Sequence, residues 1–232
     1  MTRTKTLWFG WTLALLAMAG FARLGFWQYG RMHEKQAMLA EADRVLAEKR
    51  TAALGDDREG LHWVEGDAQI DPRTLLLDNQ IREGRPGVHV HCIATTGMQH
   101  RLIDLGWVPM NGDRRVPDTV ACPRGAMHVR GLLTQPPSMG LRLGPAMQQT
   151  APSRWLMTRV DADAISKALA TTVPPRVVRL DPKLPGGYAR DLDILPNTLP
   201  PERHLGYAVQ WWALSIAVLV TALVLTFRKP RP

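Results

Sequence analysis

The chain has 232 residues, of which 45% are hydrophobic, and it carries a formal net charge of +8. That length fits one medium-sized domain with membrane anchors. The excess positive charge lies at the two ends of the chain, because residues 28–204 hold 23 Lys and Arg against 21 Asp and Glu. This distribution argues against a nucleic-acid-binding surface, which would need a basic patch on the folded part.

The first predicted element is a transmembrane helix at residues 7–28, after a basic tail at residues 1–6. Leu7–Phe26 is apolar apart from Thr12 and Arg23, which is long enough to cross a hydrocarbon core. We interpret it as an uncleaved anchor, because the apolar run continues beyond the length of a signal-peptide core.

The helical pattern does not stop at the membrane surface. Leu39, Ala42 and Leu46 recur at helical spacing without an intervening proline, so we expect the helix to continue to about residue 54. Gly55 then provides a typical helix stop.

Residues 55–203 are predicted to form a β-rich domain outside the membrane. Short segments rich in β-formers alternate with turn signals, which favours an antiparallel β barrel or sandwich with short helices. A short helix is predicted from about Asp161 to Ala170, and residues 134–154 are predicted to be loop. The proline-rich stretch 181–203 is predicted to tether this domain to the second span. The predicted strands lie at 61–66, 74–78, 88–93, 101–108 and 127–133.

The second transmembrane helix is predicted at residues 204–227, followed by a basic tail at 228–232. Its segment Tyr207–Phe227 contains 21 residues without a charge, which suffices for a span. Basic residues flank both spans on their terminal sides, so the positive-inside rule predicts that both termini are cytoplasmic. The central domain would then lie outside, in an oxidising compartment if the cell is a bacterium.

A candidate ligand site lies where the second span begins. His204, Tyr207 and Trp211 are spaced i, i+3 and i+7, so they share one helix face. Two interpretations are open: an aromatic belt at the membrane interface, which is common, or a ligand site. A neutral imidazole is a frequent axial ligand of haem iron.

The end of the first span presents a second stripe, because Arg23, Trp27 and Arg31 are spaced by four residues. These side chains either anchor the helix at the interface or form a positive rim for an acidic group, such as a propionate or a lipid phosphate.

The sequence contains no nucleophile elbow, HExxH, CxxC or phosphate loop, so we predict that the protein is not an enzyme. Cys92 and Cys122 either pair in a disulfide or remain free buried thiols. His89 and His91 share one face of a strand, whereas Cys92 points to the other. This pair is either a copper site or two histidines on a solvated face.

Four separated motifs, in order, resemble the surfeit locus protein 1 family of cytochrome c oxidase assembly factors. The resemblance covers nearly the whole chain. The motifs are Leu24–Gln28 with Arg31 and Lys35, Leu76–Asn79 with Gly84–Val90, Gly106–Pro109, and His204–Ala208 with Gln210 and Trp211.

This resemblance implies a protein with two spans in an inner membrane that helps to build the haem-containing core of an oxidase. It also implies binding of haem a, for which the matching residue is His204. The first span begins near residue 7, which leaves no room for a mitochondrial transit peptide and favours a bacterial plasma membrane.

From the residues and the resemblance together we expect His204 to ligate the iron of a transiently bound haem a in a cleft between the outer ends of the spans. Arg31 or Arg23 would neutralise a propionate. The expected partners are the oxidase catalytic subunit or a haem a synthase. The alternatives are a haem-independent chaperone for an oxidase subunit and a copper carrier using His89 and His91. The other residues predicted to contact the haem are Tyr207, Gln210, Trp211, Trp27 and Gln28.

Overall fold

A computed structural model of the chain describes residues 3–112, 115–137, 144–195 and 198–228. The chain divides into two compact units. The first contains Met1–Ala40 and Thr198–Pro232, and the second contains Glu41–Asn197.

The first unit is built from the two long helices, α1 at Arg3–Glu48 and α3 at Pro201–Phe227. Both are long and apolar enough to cross a membrane. Side-chain contacts show that they run antiparallel: Trp11 donates a hydrogen bond to Thr226, and Ser215 donates one to the carbonyl of Met18. Contacts that lie further along the sequence of α1 therefore involve earlier residues of α3.

Both helices differ from their predicted bounds. α1 ends at Glu48, short of the predicted end near residue 54, because Thr51–Ala53 forms a strand, β1, that pairs with Trp63–Glu65. Lys49 turns the chain with a φ of 44°. α3 begins three residues earlier than predicted, at Pro201, since proline is well suited to a first helical position.

In the second unit the described residues form one nine-stranded sheet with the order β1-β2-β6-β9-β5-β4-β3-β8-β7. A short additional pairing joins β2 to β4. One short helix, α2, lies at Ala162–Leu169 between β8 and β9. The remaining strands are β2 His62–Ile70, β3 Thr74–Arg82, β4 Arg85–Thr96, β5 Gln99–Pro109, β6 Gly125–Thr134, β7 Met147–Ala151, β8 Arg154–Met157 and β9 Val177–Leu180.

The prediction of an antiparallel sheet was wrong, because the sheet is mixed. Three of its pairings are parallel: β1 with β2, β3 with β8, and β5 with β9. The physical reason is that alternating apolar residues specify a half-buried strand but not the direction of its neighbour.

The predictions of a short helix and of a loop at residues 134–154 have different outcomes. The short helix begins where expected, because Asp161 caps it by accepting a hydrogen bond from the Ala164 backbone nitrogen at 3.1 Å. The predicted loop at 134–154 instead contains β7 at Met147–Ala151, and its residues 138–143 lie outside the described part.

The core of the second unit contains the Cys92–Cys122 disulfide, with Cα atoms 5.9 Å apart. Both cysteines are buried among side chains of several strands, including Val90 and Ile103. The two cysteines left open between pairing and free thiols are therefore paired.

The Gly106–Pro109 motif has a structural role in this unit. Gly106 has a φ of +117° and lies against the backbone of Ala189, a conformation that favours glycine. The Trp107 indole donates a hydrogen bond to the carbonyl of Gln80 at 2.9 Å. This residue therefore joins β5 to β3 across the intervening β4.

Candidate functional site

The candidate site lies in the first unit, where the first turn of α3 meets α1. The Nδ1 atom of His204 lies 2.7 Å from the Oε1 atom of Gln28. A side-chain amide oxygen can only accept a hydrogen bond, so in this arrangement Nδ1 carries the proton. The other ring nitrogen, Nε2, then presents its lone pair.

The Nε2 atom of His204 is buried and has no hydrogen-bond partner among the described residues. The whole side chain is enclosed, since the residue is only 7% exposed. Buried polar atoms are normally paired, and an exception calls for an explanation such as a ligand. His204 thus has the features of a prepared nitrogen ligand.

This arrangement fits an axial haem ligand. Metal-binding histidines usually donate their second ring N–H to an acceptor that fixes the tautomer and the ring orientation. Gln28 provides that acceptor, and the free Nε2 provides the lone pair that iron requires. His204 would hold the haem, and bound haem would supply an iron centre that accepts such a nitrogen.

Trp211 packs against the other long helix. Its ring stacks on Phe21 of α1, with centroids 5.6 Å apart and planes inclined by 24°. Part of its surface is therefore committed to the contact between the two helices, and a role in packing against haem stays a prediction.

Three further predicted contacts lie on the outside of the helix pair. Trp27, Tyr207 and Gln210 are exposed, and among the described residues their side chains make no hydrogen bond or ring contact with His204. Haem contact by these three residues also stays a prediction.

The two cations predicted to meet a propionate, Arg31 and Arg23, lie at exposed positions of α1. Arg31 forms an ion pair with Glu34 at 2.5 Å, and both side chains are substantially exposed. Arg23 is exposed. Arg31 therefore has a carboxylate partner within the chain, and the pairing of Arg31 or Arg23 with a propionate stays a prediction.

Two side chains near the site were not singled out from the sequence as contacts. Trp212 packs against Phe26 and Tyr29, with ring centroids 5.5 and 5.9 Å apart, and lies directly on Gly25. Lys35 is buried and donates a hydrogen bond to the carbonyl of Leu199. Lys35 has a sequence signal, because it lies seven residues after Gln28 and so on the same helix face.

The alternative copper site in the second unit has less support. His89 Nδ1 is bonded to Asp104 at 2.9 Å, and the Cys92 sulfur is used in the disulfide. Within the described ranges no group of three or more His, Cys, Asp or Glu could hold a metal ion. The expectation of two histidines on a solvated face was also wrong, because His91 is only 1% exposed, and burial lowers the pKa of its imidazole.

Two apolar terminal helices that flank a mixed β-sheet unit are consistent with a membrane protein. A comparison with family models finds a match to the SURF1 family over residues 15–216. The chain therefore belongs to the SURF1 family, and this membership supports a role in oxidase assembly. The match includes both Gln28 and His204. No curated protein matches the chain in a sequence search.

Proposed function

We propose that the protein is an assembly factor for a haem–copper terminal oxidase that binds haem a through His204 and delivers it to the catalytic subunit. Family membership supports the role in oxidase assembly. The observation that carries the haem proposal is the buried, unpartnered Nε2 of His204, held opposite the Gln28 hydrogen bond.

The same observation distributes roles between the two residues. His204 would ligate the iron, whereas Gln28 would keep the imidazole in the ligating tautomer without touching the metal. A carrier must also release its cargo. A single strong protein ligand suits a site that transfers haem rather than retains it.

We place the protein in a bacterial plasma membrane, with both termini in the cytoplasm and the β-sheet unit on the outer side. Two features support this placement. Residues 1–6 and 228–232, on the terminal sides of the two long helices, contain basic residues and no acidic ones. The Cys92–Cys122 disulfide suits an oxidising compartment. The partners would be the oxidase catalytic subunit, a haem a synthase, or both.

The proposal can be tested in a bacterial host that makes haem a and lacks its own protein of this family. Cells would express the wild type, His204→Ala or His33→Ala. His33 is an exposed histidine of α1 that packs its ring edge-on against Tyr29. We expect His204→Ala to lower the haem a content of the purified oxidase and His33→Ala to preserve it.

Full maturation with His204→Ala, at equal protein levels, would instead favour a haem-independent chaperone that holds an oxidase subunit. The copper-carrier alternative predicts a different defect, namely loss of copper from the oxidase while its haem a content stays normal.

A further inference from the structure

Lys35 is a buried cation with no carboxylate partner among the described residues. Lys35 is only 7% exposed, and among the described residues it makes no ion pair with a carboxylate. Its Nζ atom donates one hydrogen bond, to the carbonyl oxygen of Leu199. Burying a charged group without a charged partner is unfavourable, so this position needs an explanation.

The place of Lys35 on α1 connects it to the His204 site. Gln28, Met32 and Lys35 follow one another at i, i+4 and i+7, and so form one face of the helix. That face meets the start of α3: Lys35 is bonded to Leu199, and Gln28 is bonded to His204. Lys35 also acts electrostatically on the His204 ring.

The ammonium group has capacity for a further partner. It carries three donors, of which the Leu199 carbonyl uses one. Arg31, the other cation that acts on the His204 ring, is already neutralised by Glu34. The site therefore combines a free nitrogen lone pair with one uncompensated buried positive charge.

We propose that Lys35 binds an anionic oxygen group of the ligand that His204 holds, namely a propionate carboxylate of haem. This inference rests on the proposed function and gives Lys35, rather than Arg31 or Arg23, the task of pairing with the acid. A lipid phosphate offers the same anionic oxygen chemistry, so the test must separate these two sources.

The test compares two probes that differ only in the acid groups, haemin and haemin dimethyl ester. Each is titrated into the detergent-purified full chain and followed by absorption. The proteins are the wild type, Lys35→Met, Lys35→Arg and Lys167→Met, which removes an exposed cation of α2 as a matched control. Lys35→Met keeps a long flexible side chain but removes the charge.

We expect Lys35→Met to weaken haemin binding about tenfold, the typical worth of one charge-assisted hydrogen bond. Binding of the ester should stay as in the wild type, which also shows that the variant is folded. Lys35→Arg should retain the preference for haemin over the ester, and Lys167→Met should bind both probes like the wild type.

Equal weakening of both probes by Lys35→Met would overturn the inference, because Lys35 would then act only by holding the Leu199 carbonyl. Unchanged binding of both would overturn it as well. A wild type that binds haemin and the ester equally would overturn the inference, because the propionates would then contribute nothing to binding, and a lipid phosphate would remain the candidate partner of Lys35. Failure of the wild type to bind either probe would overturn this inference, whereas the proposed haem a function is tested separately by the haem a content of the oxidase with His204→Ala.

Discussion

Gln28 and His204 lie 176 positions apart in the chain, yet their side chains are joined by a hydrogen bond of 2.7 Å. This bond connects the two long helices and determines which imidazole nitrogen remains free. It also gives two separate family motifs one shared role, since each motif contributes one partner.

The first prediction concerns this bond. Gln28→Leu should lower haemin affinity about 10- to 100-fold, the usual cost of losing the group that orients a metal-binding histidine. Titration of the purified full chain measures this effect. The matched control is Gln36→Leu, at an exposed position of the same helix, which should bind like the wild type. Unchanged affinity of Gln28→Leu would show that the hydrogen bond does not prepare the ligand.

A second prediction concerns the contact between the two helices. A Cβ atom at Gly25 would collide with the Trp212 indole, whereas one at Gly30 would meet no atom within 4 Å. Gly25→Ala should therefore lower the thermal midpoint of unfolding in detergent. Gly30→Ala should leave it unchanged or raise it, because alanine favours a helix by about 1 kcal/mol over glycine. Equal midpoints for the two variants would contradict this packing.

The sequence predicted those features that depend on local pattern. The two long apolar helices follow from long apolar windows, and the cap at Asp161 follows from helix-end chemistry. His204 could be selected as a candidate ligand because it lies at the start of a long apolar segment. Its partner Gln28 could not be assigned to it, because no local periodicity records which side chains meet when two helices dock.

The errors have a similar origin. Residues 51–53 continue a helical pattern, but their hydrogen bonds to β2 replace the last turns of the helix. β8 pairs with β3 in parallel, although the two strands are far apart in the sequence. Strand periodicity does not encode which strands pair or in which direction. Trp211 shares a helix face with His204, but its stacking on Phe21 could only be seen once α1 was in place.

A third prediction concerns the disulfide. Cys92 and Cys122 are separated by 30 residues, so closing this loop should stabilise the fold by about 3–4 kcal/mol in the chain-entropy model. Replacing both cysteines with alanine should lower the free energy of unfolding by that amount, measured with chemical denaturant on the full chain. A reductant should destabilise the wild type similarly and leave the double variant unaffected. An unchanged free energy of unfolding in the double variant would contradict this stabilisation.

A fourth prediction concerns pH. His128 bridges two carboxylates, Asp67 at 2.9 Å and Glu65 at 2.8 Å, and these hydrogen bonds raise the pKa of its imidazole. A raised pKa stabilises the fold fully below the unfolded value of about 6.5. This stabilisation is lost as the pH rises through the folded value.

The variant His128→Gln tests this sign. The wild type should be more stable than the variant near pH 5.5, and the difference should shrink steadily towards pH 8.5, as followed by denaturant unfolding at each pH. The effect should be small, because the His128 side chain is 48% exposed and exposed ion pairs contribute little. A difference that grows with pH would contradict the assignment.

The most direct test of the central claim is an absorption spectrum of the detergent-purified protein from cells that make haem a, recorded beside the His204→Ala variant. We expect a haem a band in the wild type that is lost in the variant, with the two proteins purified in equal amounts. A band that survives the substitution would contradict His204 as the iron ligand. Absence of a band from both proteins would contradict haem binding itself.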